Sequence, residues 1–212
     1  MIKKISSILL IIISFSLFAQ KKKKGITNVK KVGILYNYTD QNNFVFNDPD
    51  FLYTGETIKL QAFYDLGKWK SFDFELIAQP QFQRINHQLI NSFFVLPTEE
   101  NFLDKIEEFT TPKKINFYAF ELGFVMKKEI FNNFNVLLTA GLGLGSIDTR
   151  TERLAKGFTF LENLSLGLSY KAFAKTTFYL GSNIGHISNL DTQKPNNGYS
   201  FLGAEVGIAY HL

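Results

Sequence analysis

The sequence predicts an all-β fold, a closed antiparallel barrel of eight strands, from three observations. Phe and Tyr are numerous, with 23 and 9 copies against one Trp, and 15 glycines lie among few helix-forming residues. Apolar and polar residues alternate with a period of two in eight segments. The connections between these segments alternate between short and long. A length of 212 residues suits one such domain.

The predicted strands follow one another along most of the chain. In one of them Tyr118, Phe120 and Leu122 share a face, and Glu121 lies on the other face. No stretch of helical length shows a 3.6-residue period, although residues 99–109 are expected as a short helix within a loop. In chain order, the predicted strands are 31–38, 58–66, 72–78, 116–126, 134–145, 164–170, 176–186 and 201–212.

The apolar face of these strands fits two architectures. In a transmembrane barrel that face contacts lipid, whereas in a soluble barrel or sandwich it forms the core. Short connections are expected at 67–68, 127–133 and 171–172, and long ones at 39–55, 85–114, 146–156 and 187–197. Short periplasmic turns and long extracellular loops alternate in this way in transmembrane barrels, so we predict an integral β-barrel of the outer membrane.

The amino terminus predicts export. Lys3 and Lys4 precede an apolar run from Ile8 to Ala19, which is too short to cross a bilayer as a helix. We therefore predict a signal peptide at 1–19 and a single barrel domain at 20–212, with a retained short anchor as the alternative. A periplasmic start makes the first strand run outward, and the seventh strand then runs outward too.

The amino-acid composition excludes several kinds of functional site. The chain has no cysteine, which excludes a disulfide framework and a thiol nucleophile, and its three histidines form no metal-binding motif. With 23 basic and 19 acidic residues it has no broad basic face. We expect no cofactor, no metal and no nucleic-acid partner. The acidic residues on polar strand faces are expected to pair with Lys59 or similar residues in the lumen: Asp73, Glu75, Glu121 and Glu205.

The seventh predicted strand carries the candidate chemistry. His186 and Ser188 share the parity of the apolar residues Phe178, Leu180 and Ile184, which must face lipid. The pair is therefore expected on the outside of the barrel, at the level of the outer leaflet. A hydroxyl beside an imidazole is the nucleophile and base relation of acyl transfer, and the alternative is an interfacial polar pair without catalysis.

These residues also belong to a longer motif. Residues 186–189 read His-Ile-Ser-Asn, and residues 194–198 read Lys-Pro-Asn-Asn-Gly before a closing strand. Together they resemble the signature of the outer-membrane lipid A 3-O-deacylases, also called acyloxyacyl hydrolases. The resemblance is specific over about the last thirty residues. It is looser earlier, where Gln79-Pro80 and the glycine-rich segment 141–145 are merely compatible.

The resemblance implies a lipid A deacylase, a serine esterase that hydrolyses a fatty acyl ester of lipopolysaccharide in the outer leaflet. Carried over by position, Ser188 is the nucleophile and His186 the base. Asn196 helps to hold the oxyanion, and Asn189 shapes the same corner. Such donors stabilise the negative oxygen that develops in the transition state.

One position departs from the resembled family. Ser200 stands where characterised members have a Glu that orients the histidine. Glu205 is the nearest downstream acid, but its parity points to the lumen, and Asp191 in the loop is the other candidate. The orienting acid is therefore left open, and a catalytically dead barrel of the same ancestry is a second hypothesis.

The predicted outer loops supply the remaining candidates. Arg150, Arg153 and Lys194 could bind the phosphates of lipid A, or they could be ordinary solvated charges. Lipid A, as part of lipopolysaccharide, and outer-membrane lipids are the expected partners. The oligomeric state stays open, with a homodimer as one alternative. A long loop at 85–114 motivates a third hypothesis, a non-catalytic barrel with a structural or adhesive role.

Overall fold

The computed structural model describes residues 28–42 and 45–212, and the predicted signal peptide lies outside them. A 3₁₀ turn, Ser92–Phe94, and one helix, α1 (Phe102–Thr110), lie between the third and fourth strands. The strands are β1 (Val29–Asp40), β2 (Phe51–Trp69), β3 (Phe72–Leu89), β4 (Lys113–Phe131), β5 (Phe134–Ile147), β6 (Gly157–Phe173), β7 (Thr176–Ser188) and β8 (Tyr199–His211).

The strands form a closed antiparallel barrel in sequence order, and β1 pairs with β8 to complete the ring. The predicted all-β, eight-stranded barrel is thus confirmed. Closure gives every strand two neighbours, so the backbone N–H and C=O groups are paired within the barrel. This pairing is necessary in a membrane because lipid chains offer no hydrogen bonds.

Long and short connections lie at opposite ends of the barrel. The long ones are loop L1 (described at residues 41–42 and 45–50), loop L2 (90–112), loop L3 (148–156) and loop L4 (189–198). The predicted alternation of loop lengths is therefore confirmed, and by the rule for transmembrane barrels the end with the long loops is the extracellular end. We call it the outer end.

Two of the three short turns do not lie where they were predicted. The strands β2 and β6 continue to Trp69 and Phe173, so their turns, at 70–71 and 174–175, lie further along the chain than predicted. The strand β4 continues to Phe131, and its turn, at 132–133, falls at the end of the predicted connection 127–133. The register of β2 shifts at Gly67, whose N–H donates to Asp65 Oδ1 at 2.7 Å, and pairing then resumes. Alternation is lost near the turns because both faces of the sheet are wet there, so the sequence pattern ends before the strands do.

The outer wall of the barrel is apolar. Side chains of alternate residues remain exposed on every strand, including Leu142 at 60%, Leu166 at 60% and Leu180 at 65%. A continuous exposed apolar surface of this kind marks contact with a membrane. The barrel is therefore an integral membrane protein, and the soluble alternative is wrong. None of the helices in the described residues is long and apolar enough to cross a membrane.

The middle of the lumen is polar and paired. Lys59 Nζ lies 3.0 Å from Glu121 Oε2 and 3.9 Å from Glu205 Oε1, and Gln81 and Asn163 also donate to Glu121. Lys31 pairs with Glu75 at 2.8 Å, nearer the end with the short turns. The expected lumen position is confirmed for Glu75, Glu121 and Glu205, whereas Asp73 pairs with the exposed Lys68 at 2.9 Å beside the turn between β2 and β3.

The outer end of the lumen is filled by apolar side chains, which the alternation did not predict. Tyr53, Phe117, Tyr199 and Phe201 are buried there, together with branched aliphatic residues from several strands. Tyr53 packs edge to face with Tyr199, at a centroid distance of 5.1 Å. This cluster, which we call the outer core, packs against the inner face of strand β7 and fills the lumen there.

The lumen charges give a first test. Lys59→Met keeps the length of the side chain but leaves Glu121, whose side chain is 0% exposed, without its cation. We expect the free energy of unfolding to fall by about 3–5 kcal/mol, the usual result of breaking a buried pair. The measurement is urea unfolding of the refolded barrel in lipid. Lys68→Met is the control. The Lys68 side chain is 78% exposed, so this substitution should leave the free energy of unfolding unchanged.

Candidate active site

Three polar side chains form a row on the outer wall. In strand register, His186 on β7 lies directly opposite Glu162 on β6 and directly opposite Ser200 on β8. All three belong to the outward-facing set of their strands. His186 Nδ1 lies 2.9 Å from Ser200 Oγ and is hydrogen-bonded to it. We call this set the polar row.

Ser188 lies beside the polar row, two residues beyond His186 on the same face of β7. Its register partner on β6 is Phe160. His186 and Ser188 are half-buried, whereas Leu180 and Ile184 below them are exposed. Within the described part of the chain, no hydrogen bond joins Ser188 to His186. Alternate residues of a strand are about 6.6–6.8 Å apart along its axis, so the two groups are neighbours that a substrate atom could bridge.

Gly198 supports the imidazole ring from loop L4. Its φ is +68°, the left-handed region that favours glycine. A Cβ at this position would lie 2.9 Å from His186 Cε1 and 3.0 Å from Nε2, and it would also strike the carbonyl oxygen of Ile187. The close approach of loop L4 to His186 therefore requires a residue without a side chain.

Arg153 in loop L3 holds Gly198 in place. Its Nε–H donates to the Gly198 carbonyl at 2.8 Å, and its own carbonyl accepts the N–H groups of Asn197 and Gly198 at 2.7 and 3.1 Å. The guanidinium also pairs with Asp48 at 3.1 Å and lies 4.3 Å from the centre of the Phe51 ring. Arg153 thus connects loops L1, L3 and L4 above the outer core.

The outer core supports the other side of the polar row. The Tyr53 hydroxyl donates to the Ser200 carbonyl at 2.9 Å. This contact matters because the pairing of β8 with β1 begins only at Leu202, so β1 offers Ser200 no partner. The Tyr199 hydroxyl and Thr151 Oγ1 are 2.8 Å apart, which fastens loop L3 to the start of β8.

The two predicted asparagines shape loop L4. The Asn189 N–H donates to Asn196 Oδ1 at 2.6 Å, and Asn189 Nδ2 donates to the Gln193 carbonyl at 2.7 Å. Asn196 Nδ2 donates to Asp191 Oδ1 across a longer 3.3 Å. Asn189 is buried within the loop, and its role in shaping the site stays a prediction. The oxyanion role of Asn196 stays a prediction.

Neither acid named from the sequence contacts His186. Glu205 lies in the lumen, where it accepts a hydrogen bond from Tyr179 at 3.0 Å. Asp191 is exposed and accepts one from Lys194 at 2.6 Å. The hydrogen bond from Lys194, with that from Asn196, holds the pKa of Asp191 below its usual value. Asp191 is therefore a carboxylate bound within its own loop.

Glu162 is not among the residues that the sequence predicts for the site. The sixth strand was predicted to begin at residue 164, whereas β6 begins at Gly157 and includes Glu162 on its lipid-facing side. One signal could have revealed it: the carboxylate interrupts an alternate row of large apolar residues, with Phe158 and Phe160 before it and Leu164 after it.

The predicted basic residues occupy different surroundings. Arg150 and Lys194 line one cleft at the outer rim, between loops L2, L3 and L4, and Asn196 lines it too. Arg153 is largely committed to the contacts with Asp48, Gly198 and the outer core. Contact of these residues with lipid A phosphates stays a prediction, and Arg150 and Lys194 have the more suitable exposure.

The support from Gly198 can be tested by adding one methyl group. Gly198→Ala should displace either the Ile187 carbonyl or the His186 ring, because the added Cβ has no room. We expect faster amide hydrogen exchange at the outer ends of β7 and β8. Gly157→Ala is the matched control, since its φ of +120° is also positive but nothing lies within 4 Å of the added Cβ. Equal hydrogen exchange in the two variants would show that glycine is needed at position 198 only for its positive φ and not for its close approach to His186.

Comparison with known proteins agrees with this geometry. Residues 109–209 match the family described as lipid A 3-O-deacylase (PagL). A crystal structure of the outer membrane enzyme PagL is similar, with 15% identity, a TM-score of 0.52, and coverage of 86% of this chain and 99% of that chain. Neisserial surface protein A (NspA) gives 12% identity, a TM-score of 0.48, and coverage of 86% and 96%. No curated protein sequence matches the chain.

The family match includes strands β4 to β8 and therefore every member of the polar row, together with Ser188 and loop L4. The structural likeness to PagL extends over the whole barrel and supports the fold. The resemblance seen in the sequence is thus confirmed. The chain is an outer-membrane β-barrel whose last five strands match the lipid A 3-O-deacylase (PagL) family.

Proposed function

We propose that the protein hydrolyses a fatty acyl ester of lipid A in the outer leaflet, with Ser188 as nucleophile and His186 as base. The observation that carries the proposal is the position of the pair. A histidine and a serine lie on the lipid-facing wall at the outer end, within the segment that matches the deacylase family. A site on this wall is open to lipid acyl chains, whereas the lumen behind it is filled by the outer core.

The hydrogen bond between His186 Nδ1 and Ser200 Oγ is compatible with a basic role for the ring. When Nδ1 carries the proton and donates it to Ser200 Oγ, Nε2 is left with a free electron pair. Nε2 can then accept the Ser188 hydroxyl proton as Oγ attacks the ester carbonyl carbon. The imidazolium next gives this proton to the departing sugar oxygen, which leaves an acyl group on Ser188 for water to remove.

The surroundings of Ser188 suit a lipid substrate. Phe160 lies opposite Ser188 in register, and Ile184 and Leu164 form an apolar surface below the polar row. An acyl chain could lie along this surface while the phosphates of lipid A reach Arg150 and Lys194 at the rim. Asn196 Nδ2 would face the oxyanion after giving up its long contact with Asp191.

A non-catalytic role in adhesion is the second candidate. Loop L2 presents large apolar side chains to solvent, with Phe93 87% and Leu103 74% exposed. Exposed apolar residues on an outer loop are suited to contact another surface. This role does not require Ser188 or His186, so substitution of those residues separates the two functions.

The catalytic pair gives a direct test. Ser188→Ala and His186→Ala should each lower the release of fatty acid from lipid A by about 10²-fold or more, because each removes one half of a proton-transfer pair. The effects should be far from additive, since the two residues act together. Mass spectrometry of lipid A, incubated with the purified barrel or extracted from cells that produce it, measures the loss of one acyl chain.

Ser182→Ala is the matched control, because Ser182 lies on the same face of β7 and is exposed. It should retain full activity. Hydrolysis that persists in Ser188→Ala would contradict the proposed nucleophile. Unchanged lipid A in the presence of the native barrel would favour the adhesive role.

A further inference from the structure

We infer that Glu162 is the positioning carboxylate of His186 in this protein and replaces the acid that position 200 lacks. The inference rests on the proposed function, because the carboxylate would stabilise the imidazolium that forms when His186 takes the Ser188 proton. It assigns the missing charge to β6, on the opposite side of the histidine from Ser200.

Register brings Glu162 and His186 together. They are direct antiparallel partners, and both side chains face outward. Side chains in such a pair have Cβ atoms about 4.5–5.5 Å apart, and opposite charges at this distance attract each other. Glu56 on β2 and Arg84 on β3 form a comparable outward pair elsewhere on the wall. An outward acid of this barrel is thus found opposite a basic residue in both places.

The surroundings of Glu162 strengthen the inference. A carboxylate among lipid-facing apolar residues is unfavourable unless a nearby group compensates its charge. Phe160 and Leu164 flank Glu162 along the same face of β6, and Leu142 is its register partner on β5. The group that compensates the charge of Glu162 must therefore lie on its other side, on β7, where His186 is its register partner. A low local dielectric also makes the attraction stronger than it would be in water.

The other charged groups near His186 cannot take this role. Glu205 lies in the lumen, and Asp191 is bound to Lys194. Glu152 is paired with His87 at 2.6 Å inside the outer core. On the other neighbouring strand, β8 presents Ser200, which is neutral. Arg153 in loop L3 is a positive charge that opposes protonation of His186, and its pairing with Asp48 reduces that opposition.

The first experiment removes the charge and keeps the shape. Glu162→Gln should lower kcat for lipid A hydrolysis by about tenfold or more, with a change of less than about threefold in KM, because the carboxylate acts on the imidazolium and not on bound lipid. Glu162→Asp should keep part of the lost activity. Glu56→Gln, which removes the comparable outward acid on β2, is the matched control and should behave like the native barrel.

The second experiment moves the charge to the other side of the histidine. Ser200→Glu in the Glu162→Gln background should restore kcat at least about fivefold, because the carboxylate at 200 lies where Ser200 now bonds Nδ1. Recovery from the opposite strand is not expected if Glu162 serves only to pack or fold. Heat-modified migration in gels confirms that each variant is folded.

The outcomes separate this inference from the proposed function. If the native barrel releases no fatty acid, the proposed function fails. If the native barrel is active and Glu162→Gln matches it in kcat, only the role of Glu162 is overturned. If Glu162→Gln is impaired and Ser200→Glu restores nothing, Glu162 is a structural residue and the inference is also overturned.

Discussion

Every side chain in the barrel wall points either to lipid or to the lumen, and the position of the candidate site depends on this alternation. A polar group on the lipid side has no water to bind, so it needs a partner within reach on its own or a neighbouring strand. In a closed antiparallel barrel those partners are fixed by register. Register places Glu162, His186 and Ser200 at one level, and strand continuity places Ser188 next to them.

The packed interior gives this outer surface its rigidity. Tyr53 reaches from the outer core to the Ser200 carbonyl, and Arg153 fastens the Gly198 carbonyl that stands behind the imidazole. The side chains that position the site therefore lie inside the barrel and in loop L3, while the side chains that would act lie outside. A lipid substrate would reach this wall directly from the bilayer, so a closed pocket is not needed.

The polar lumen has a different task. Lys59 and Glu121 compensate each other in the middle of the barrel, below the outer core, and neither approaches the polar row. Their pairing maintains the closed ring whose register sets the outer wall. Stability and proposed chemistry are thus carried by opposite faces of the barrel wall, on different strands.

Alternation in the sequence was sufficient to predict the number of strands, the lipid-facing side and the outward parity of His186 and Ser188. It could not locate the strand ends, because the pattern fades where both faces of a strand meet water, as it does beyond Gly67 on β2. The same limit concealed Glu162, which fell outside the predicted sixth strand. Its relation to His186 depends on register between two strands, and a single sequence does not contain register.

The outer core was also not predicted, although its residues are visible in the sequence. Tyr199 and Phe201 lie on the lumen-facing side of β8. In a sequence, apolar residues on both faces of a strand can mean either that the lumen is filled or that the strand has shifted its alternation by one residue, and the pattern alone does not distinguish the two. Arg153 was predicted as a contact for lipid phosphate. Its role as a connector of three loops depends on Asp48 and Gly198, which are distant from it in sequence.

The location of Ser188 relative to lipid can be measured directly and decides whether an active site can lie on the lipid-facing wall. The sequence has no cysteine, so Ser188→Cys gives a unique attachment point for a spin label in the barrel reconstituted in a bilayer. We predict that the label is relaxed by oxygen, which concentrates in lipid, more strongly than by a water-soluble nickel complex. Its depth should lie between those of labels at Ser182 and at Lys194 in loop L4. Preferential relaxation by nickel, with no access to oxygen, would place Ser188 in the lumen or in water and contradict a lipid-facing active site.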